Sequence, residues 1–156
     1  MKFGTKAIHA GIEPDPATGA IMTPIYQTST YVQPSLGSHQ EYEYSRTHNP
    51  TRTALQNNLA ALENGKHGIC YSSGLAAIDA VVKLFNPGDE IISTNDLYGG
   101  TYRLFTKVYE RFGINFKFIP MSDAAGIAEH ITEKTKMIWV ETPTNPMMNI
   151  IDIAAV

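Results

Sequence analysis

The chain has 156 residues, about the length of one domain, and its 43% apolar and 17% charged residues are typical of a folded globular protein. A net charge of −3 provides no basic surface for a nucleic acid, and no apolar run approaches the roughly 20 residues that cross a bilayer. We therefore expect neither nucleic-acid nor membrane partners. The single cysteine, Cys70, cannot form an internal disulfide, which fits a reducing compartment, so we expect a cytoplasmic protein.

Residues 1–50 show no sustained period of 2 or 3.6, and prolines recur among Ser, Thr, Gly and Tyr. This pattern predicts an irregular N-terminal arm, which we expect to lie against a neighbouring subunit of an oligomer. At the end of the arm, Asn49 is a good N-cap and Pro50 suits the first position of a helix. A stripe of leucines follows at helical spacing and is expected to face the core: Leu55, Leu59 and Leu62.

A turn between a strand and a helix is the centre of the predicted site. The apolar run Gly68–Tyr71 predicts a short buried strand that includes Cys70, and helical spacing of apolar residues begins after Gly74. In the intervening Ser72-Ser73-Gly74, helix N-terminal amides can point outward without a bulky side chain in the way, and such amides bind phosphate. The alternative is an ordinary connection with a serine cap, because Ser-Ser-Gly alone is a weak signal.

Strands and helices alternate along the rest of the chain. The predicted strands are Glu90–Ser93, Asn115–Ile119 and Met137–Glu141. One helix with apolar residues at i, i+3, i+4 and i+7 ends at Gly113, and a weaker helix covers Asp123–Ile131. Since parallel neighbours need crossover connections, the pattern predicts an α/β domain with a mainly parallel sheet and helices on both faces. Ligands bind such sheets beyond the carboxyl ends of the strands.

Three polar clusters fall at that edge: Ser72–Leu75, Asn95–Thr101 and Glu141–Asn145. A phosphate at the first cluster, the ring of Tyr98 from the second and the amide of Asn145 from the third suit a flat phosphorylated ligand, and pyridoxal phosphate fits all three. Arg46, just ahead of a helix start, can bind an oxyanion. The histidines lack metal-ligand spacing, so no metal site is expected. A non-catalytic phosphate- or nucleotide-binding α/β module remains the alternative.

Four motifs occur in an order that resembles the Cys/Met-metabolism family of pyridoxal-phosphate enzymes. They are Tyr44-Ser45-Arg46 with Asn49-Pro50-Thr51, Ser72-Ser73-Gly74-Leu75-Ala76-Ala77, Asp96-Leu97-Tyr98-Gly99-Gly100-Thr101-Tyr102-Arg103 and Glu141-Thr142-Pro143-Thr144-Asn145-Pro146. The resemblance runs along essentially the whole chain and covers roughly the first two fifths of a family enzyme. It implies a fold type I, aminotransferase-like subunit in which residues 51–156 form the first part of the cofactor-binding α/β domain.

The resemblance assigns roles to the matching positions. Ser73 and the backbone amides of Gly74 and Leu75 would hold the phosphate of their own subunit's cofactor. Tyr44 and Arg46 would reach across a dimer interface to the phosphate in the neighbour's site. Family members are usually tetramers built from two such dimers, so we expect a homo-oligomer in which active sites are shared between subunits.

Two further roles concern the cofactor ring. Tyr98 would stack on the pyridine ring and is a candidate to assist proton transfer. Asn145 would lie near the cofactor's oxygen and the substrate carboxylate. The family's cofactor lysine and the aspartate that holds the pyridine nitrogen follow the position of Val156. We therefore expect the chain to be the N-terminal piece of a longer polypeptide and to be inactive alone.

Within the family that the chain resembles, single residues favour the trans-sulfuration enzymes. Glu43, before Tyr44, is similar to cystathionine γ-lyases and γ-synthases, and it could receive the distal ammonium of cystathionine. One of these enzymes breaks cystathionine to cysteine, and the other makes it from an activated homoserine. Gly100 stands where methionine γ-lyases typically carry a cysteine, which counts against that branch. Methionine γ-lyase and O-acetylhomoserine sulfhydrylase of the same family are the remaining alternatives.

Overall fold

The computed structural model describes residues 1–156, which divide into two compact units, Met1–Cys70 and Tyr71–Val156. The regular elements are α1 (Phe3–His9), α2 (Pro50–Leu62), α3 (Gly74–Val82), β1 (Glu90–Thr94), α4 (Gly99–Lys107), β2 (Asn115–Ile119) and β3 (Thr135–Trp139). Two 3-10 segments accompany them, Tyr109–Phe112 and Ala124–His130. None of these helices combines the length and apolar character that a membrane span requires.

In the first unit, α1 was not predicted from the sequence. None of its residues is buried, so its sequence lacks the helical spacing of apolar residues from which a helix is predicted. The helix is instead held by polar contacts with α2: the Asn58 amide group donates to the carbonyls of Lys6 and Ala10, at 3.0 and 2.8 Å. The Lys6 ammonium donates back to Asn64 Oδ1 at 2.6 Å. These contacts are separated by about fifty residues in the chain, and a local sequence pattern does not reveal them.

The start of α2 is confirmed, whereas the predicted burial of its leucines is wrong for Leu55 and Leu59; Leu62 is half-buried. Asn49 caps the helix, its side-chain oxygen accepting from the amides of Thr51 and Arg52 at 2.9 and 3.5 Å, and Pro50 is the first helical residue. Leu55 and Leu59 are 52% and 44% exposed. The inner face of α2 carries the small Ala60 and polar side chains, so two of the three leucines are left uncovered within the unit.

The predicted strand at Gly68–Tyr71 is also wrong. No strand of the chain pairs with it, Ile69 is 70% exposed, and Cys70 is only partly buried. The backbone amide of Cys70 donates to the Gln56 side chain at 3.0 Å. An apolar run becomes a strand only when the backbone of a neighbouring strand pairs with it. Here no strand does so, and a side chain of α2 accepts the backbone hydrogen bond of Cys70 instead.

The second unit contains a parallel three-stranded sheet in the order β2-β1-β3. This confirms the predicted strands, with small shifts at their ends. The two inner isoleucines of β1, Ile91 and Ile92, are fully buried and point to opposite faces. On one face Ile91 packs with Val82 and Phe105 from α3 and α4. On the other face Ile92 packs beneath the 3-10 segment Ala124–His130.

The helix predicted to run to Gly113 is divided in two. Helix α4 ends at Lys107, Val108 has a distorted backbone with φ −113° and ψ −64°, and the chain continues as a 3-10 turn to Phe112. Gly113 ends this turn in the left-handed conformation, with φ +81°, as a C-terminal glycine does. The predicted weak helix at Asp123–Ile131 is likewise a 3-10 segment, Ala124–His130.

A buried tyrosine ties α3 to the turn after α4, and it makes stability depend on pH. The Tyr109 hydroxyl donates to Asp79 Oδ1 at 2.6 Å. Burial, and then this hydrogen bond, raises the pKa of Tyr109 to about 12. Lys83, and then Tyr109, lowers the pKa of Asp79. The tyrosine thus contributes stability that is complete below its unfolded pKa, near 10, and is lost as the pH rises to about 12.

We therefore expect Tyr109→Phe to flatten the alkaline loss of stability. Between pH 10 and 12 the free energy of unfolding of the variant should fall less than that of the natural chain, because the phenol no longer ionises. At acid pH the variant should also lose less, since Asp79 contributes stability only above its unfolded pKa, and that contribution shrinks without the tyrosine. Urea titrations followed by circular dichroism at several pH values measure both arms, and parallel profiles would contradict the expectation.

Candidate functional site

The N-terminus of α3 is open to solvent and has free backbone donors. Ser73 is the N-cap: its Oγ accepts from the Ala76 amide at 3.1 Å, and its carbonyl accepts from the Ala77 amide. This leaves the amides of Gly74 and Leu75, at the first two helical positions, without an acceptor in the helix. A Cβ built on Gly74 would meet no atom within 4 Å. Such an open set of donors at the positive end of a helix suits an oxyanion such as phosphate.

Tyr98 directly precedes α4, and its ring lies over Gly100. A Cβ added to Gly100 would come within 2.2 Å of Tyr98 Cε1 and 2.7 Å of Cζ. The tyrosine is 48% exposed. The ring can occupy this position only because residue 100 is a glycine. The exposed part of the ring remains available to a ligand.

Gly100→Ala is expected to displace this ring without unfolding the chain. Alanine in a helix is about 1 kcal/mol more favourable than glycine, and the half-exposed ring can rotate out of the way. The free energy of unfolding should change by less than about 1 kcal/mol, while nitration of Tyr98, followed by mass spectrometry, should become faster. Gly99→Ala is the matched control, because its Cβ would meet only Arg103 Nη1, at 3.4 Å. Equal nitration rates in the two variants would contradict the interpretation of the ring contact.

Asn145 lies in the turn that follows β3, and its side chain is exposed. The residue before it, Thr144, is 2% exposed and anchors the turn. The Thr144 hydroxyl accepts from the Asn149 amide at 2.8 Å and donates to the Asp96 carboxylate. The Thr144 amide donates to the carbonyl of Asn149 at 2.9 Å. The backbone that carries Asn145 is therefore fixed, although its side chain is free to meet a ligand.

Two carboxylates near these residues were not singled out by the sequence analysis. Glu141 accepts hydrogen bonds from the Tyr98 amide at 2.8 Å and from the Thr101 hydroxyl at 3.0 Å. Asp96 accepts from Thr144 and from the Met147 amide. Both belong to the polar clusters predicted at the strand ends, and this position was the only sign in the sequence that they lie near the site. The partners that lie in the other loop are forty or more residues away in the chain, so these roles could not be read locally.

The sheet topology brings three of the predicted segments to one edge of the second unit. Tyr98 follows the carboxyl end of β1, and Asn145 follows the carboxyl end of β3. Helix α3 leads into the amino end of β1, so its own N-terminus, at Ser73–Leu75, lies toward the carboxyl edge. In parallel α/β sheets this edge is where ligands bind.

The other predicted residues, Glu43, Tyr44 and Arg46, lie in the first unit. Their segment is held by antiparallel pairing of Thr30 with Tyr44 and by the Ser45 amide, which donates to the Ser29 carbonyl at 2.9 Å. The Arg46 guanidinium lies over the Tyr44 ring, 4.7 Å from its centroid, which is a cation–π contact. Arg46 is exposed and forms no ion pair within the chain, so its charge is available to an outside anion.

Glu43 contacts a histidine of its own segment. Its carboxylate lies 2.9 Å from His39 Nδ1, and both side chains are largely exposed. An exposed contact of this kind is worth little in stability, so the carboxylate can exchange His39 for a cation at small cost. Glu43 is therefore accessible to a positively charged group from a ligand.

Comparison with known proteins places these motifs in context. Residues 4–156 match the model of a family described as Cys/Met metabolism PLP-dependent enzyme. The chain is 51% identical over 154 residues to a Herpetosiphon aurantiacus protein named probable cystathionine gamma-synthase, covering 99% of this chain and 48% of that protein. It is 50% identical over 153 residues to cystathionine beta-lyase of Coxiella burnetii, covering 97% of this chain and 40% of that protein.

The fold has a close counterpart among solved structures. The crystal structure of cystathionine gamma-lyase from Lactobacillus plantarum, complexed with L-serine, matches with a TM-score of 0.92 and 50% sequence identity, covering 99% of this chain and 40% of that chain. The chain thus spans less than half the length of these relatives. The match confirms the predicted α/β fold with a mainly parallel sheet, of fold type I.

Proposed function

Because the chain belongs to the Cys/Met metabolism family of PLP-dependent enzymes, we propose that the protein is a trans-sulfuration enzyme that acts on cystathionine. The family's cofactor is pyridoxal phosphate. The observation that carries the proposal is the open N-terminus of α3, where the amides of Gly74 and Leu75 are free and no side chain at Gly74 fills the space in front of them. This is the form of site that the cofactor's phosphate requires.

The residues at the sheet edge fit the rest of the cofactor. Ser73 caps α3 and so aims the two free amides outward. The exposed face of the Tyr98 ring offers a flat apolar surface for stacking on a pyridine ring, and its hydroxyl can move a proton at the substrate. The Asn145 amide can donate to the cofactor's ring oxygen and to a substrate carboxylate. When bound, pyridoxal phosphate supplies the electron sink that makes the α-proton of an amino acid removable.

The first unit supports an assembly in which subunits share sites. Arg46 presents a charge with no partner in its own chain, and the arm exposes several large apolar side chains. These are Ile21, Met22, Ile25, Val32 and Leu36. We infer that Tyr44 and Arg46 bind the phosphate in a neighbouring subunit's site, within a tetramer of two such dimers. Apolar residues of the arm would be covered in that assembly.

Glu43 supports cystathionine as the substrate. Cystathionine has a second amino group at its distal end, and the exposed Glu43 carboxylate already lies 2.9 Å from a ring nitrogen of His39. We infer that the distal ammonium replaces His39 when the substrate binds. Removing the carboxylate should then weaken binding of cystathionine more than binding of substrates without that ammonium.

Within the family, three activities that form or break cystathionine are candidates for this protein. The relatives include a gamma-synthase, a gamma-lyase and a beta-lyase. Gly100 stands where methionine γ-lyases typically carry a cysteine, which counts against that activity. We favour γ-elimination or γ-replacement because the segment with Glu43 before Tyr44 resembles cystathionine γ-lyases and γ-synthases. Methionine γ-lyase and O-acetylhomoserine sulfhydrylase are the alternatives within the family. We assign the enzyme to the cytoplasm.

The test uses the full natural polypeptide with pyridoxal phosphate. A visible absorption band that shifts with borohydride is expected, and a phosphate- or nucleotide-binding module would show none. Release of cysteine from cystathionine identifies a γ-lyase, and release of homocysteine a β-lyase. Formation of cystathionine from cysteine and O-succinyl- or O-acetylhomoserine identifies a γ-synthase. Failure of all these reactions together with the absence of the band would refute the proposal.

A further inference from the structure

Two loops at the edge of the sheet are joined by carboxylates, each of which accepts hydrogen bonds from the other loop. Asp96, in the loop after β1, accepts from the Thr144 hydroxyl and from the Met147 amide at 3.0 Å, both in the loop after β3. Glu141 begins the loop after β3 and accepts from residues that follow β1. Since β1 and β3 are neighbours in the sheet, the two loops lie side by side. Each loop is therefore held by an acid that belongs to the other, and we call Asp96 and Glu141 the reciprocal carboxylate pair.

The two acids use their oxygens differently. Glu141 uses both: Oε2 accepts from the Tyr98 amide at 2.8 Å, and Oε1 accepts from the Thr101 hydroxyl at 3.0 Å and from the Trp139 indole at 3.1 Å. Asp96 accepts both of its hydrogen bonds with Oδ2 alone. Every partner of either acid is a donor. An amide side chain, which has one oxygen and one NH₂ group, could therefore replace Asp96 but not Glu141.

The hydrogen bonds fix the backbone at two residues of the cofactor site. The bond from Glu141 restrains the Tyr98 amide and hence the Cα that carries the aromatic ring. The bond from Asp96 restrains the buried Thr144, next to Asn145. The Glu141 carboxylate also lies at the N-terminal end of α4, where a negative charge is favourable.

We propose that the reciprocal carboxylate pair positions the ring of Tyr98 and the amide of Asn145 relative to the cofactor. Asp96 and Glu141 are positioning residues that act through the loops and do not touch the cofactor themselves. This inference rests on the proposed function, because it names further residues of the same site. A change at either acid should alter how the bound cofactor is oriented, even where the fold and cofactor occupancy are preserved.

The experiment compares Glu141→Ala with Asp96→Asn in the full natural polypeptide. Both variants remove one negative charge, but only Asp96→Asn keeps all the hydrogen bonds. Without cofactor, hydrogen exchange at the Tyr98 amide should become about tenfold faster in Glu141→Ala and stay within about twofold in Asp96→Asn. Asp96→Ala, which removes the acceptor, should accelerate exchange at the Met147 amide by about tenfold.

With pyridoxal phosphate bound at equal occupancy, visible circular dichroism of the cofactor reports the orientation of its ring. We expect this signal to fall by about half in Glu141→Ala and in Asp96→Ala, and to be unchanged in Asp96→Asn. A purely structural role would accelerate exchange without moving the dichroism, and that result would overturn the proposal. It would also be overturned if Asp96→Asn behaved like Asp96→Ala, or if Glu141→Ala left exchange at the Tyr98 amide unchanged. Absence of the visible band from the unsubstituted polypeptide would overturn the proposed function as well.

Discussion

Two variants, Arg46→Ala and Gly74→Asp, are expected to be nearly inactive at a pyridoxal phosphate concentration that just saturates the unsubstituted enzyme, and mixing their subunits should restore about a quarter of its activity. The proposed site takes Arg46 from one subunit and the α3 N-terminus from its neighbour. In a mixed dimer, one site then carries both substitutions and the other carries none. Random mixing makes about half of the dimers mixed, and one of the two sites in each is intact, which gives the expected fraction.

Each substitution acts on phosphate binding for a clear reason. Removing the Arg46 guanidinium deletes a charge-assisted bond, which costs about 2–3 kcal/mol, or roughly a hundredfold in cofactor affinity. An aspartate at 74 faces the phosphate with a like charge, and no atom within 4 Å of its Cβ obstructs the side chain, so the fold should tolerate it. Cofactor titration of each variant and activity of the mixed subunits, in the full natural polypeptide, provide the measurement.

The matched control pairs Gly74→Asp with Tyr98→Ala. Both residues are proposed to serve the site of their own subunit, so no site in a mixed dimer of these variants is intact. No activity should return. Recovery in this control mixture, or no recovery when Arg46→Ala is mixed with Gly74→Asp, would show that the sites are not shared in the proposed way.

Phe105→Ala is expected to cost about 3–5 kcal/mol of unfolding free energy, which is a large part of the 5–15 kcal/mol that typically stabilises a domain. Phe105 is fully buried in the core of the second unit. Its ring stacks on Phe116 with centroids 4.4 Å apart and meets Trp139 edge-on at 5.6 Å. The substitution removes these contacts and leaves a cavity between α4 and the sheet.

Phe112→Ala is the control for this change, because the same side chain is lost at a position that is 63% exposed. Its cost should stay below about 1 kcal/mol. Urea unfolding followed by far-ultraviolet circular dichroism is the measurement, since Trp139 fluorescence would itself respond to the loss of Phe105. Similar losses in the two variants would contradict the description of this core.

Local signals were sufficient for much of the fold. The alternation of strands and helices predicted the α/β class, and β1 and β2 lie where the apolar runs indicated. The starts of α2 and α3 were also predicted, because Asn49 and Ser73 cap helices through contacts with residues two or three positions away. The positions of Tyr98 and Asn145 at strand ends follow from the same alternation, while their roles at a cofactor remain predictions.

What the sequence determined by itself was therefore the set of structures that depend on neighbours a few residues apart: caps, apolar periods and the order of elements. Tertiary structure alone decided whether an apolar run found a partner, so Gly68–Tyr71 is not a strand and Leu55 and Leu59 are exposed. It also decided that Glu141 and Asp96 hold each other's loops across 43 and 48 residues. A hydrogen bond over that distance depends on where the sheet brings two loops, and no local pattern of residues encodes it.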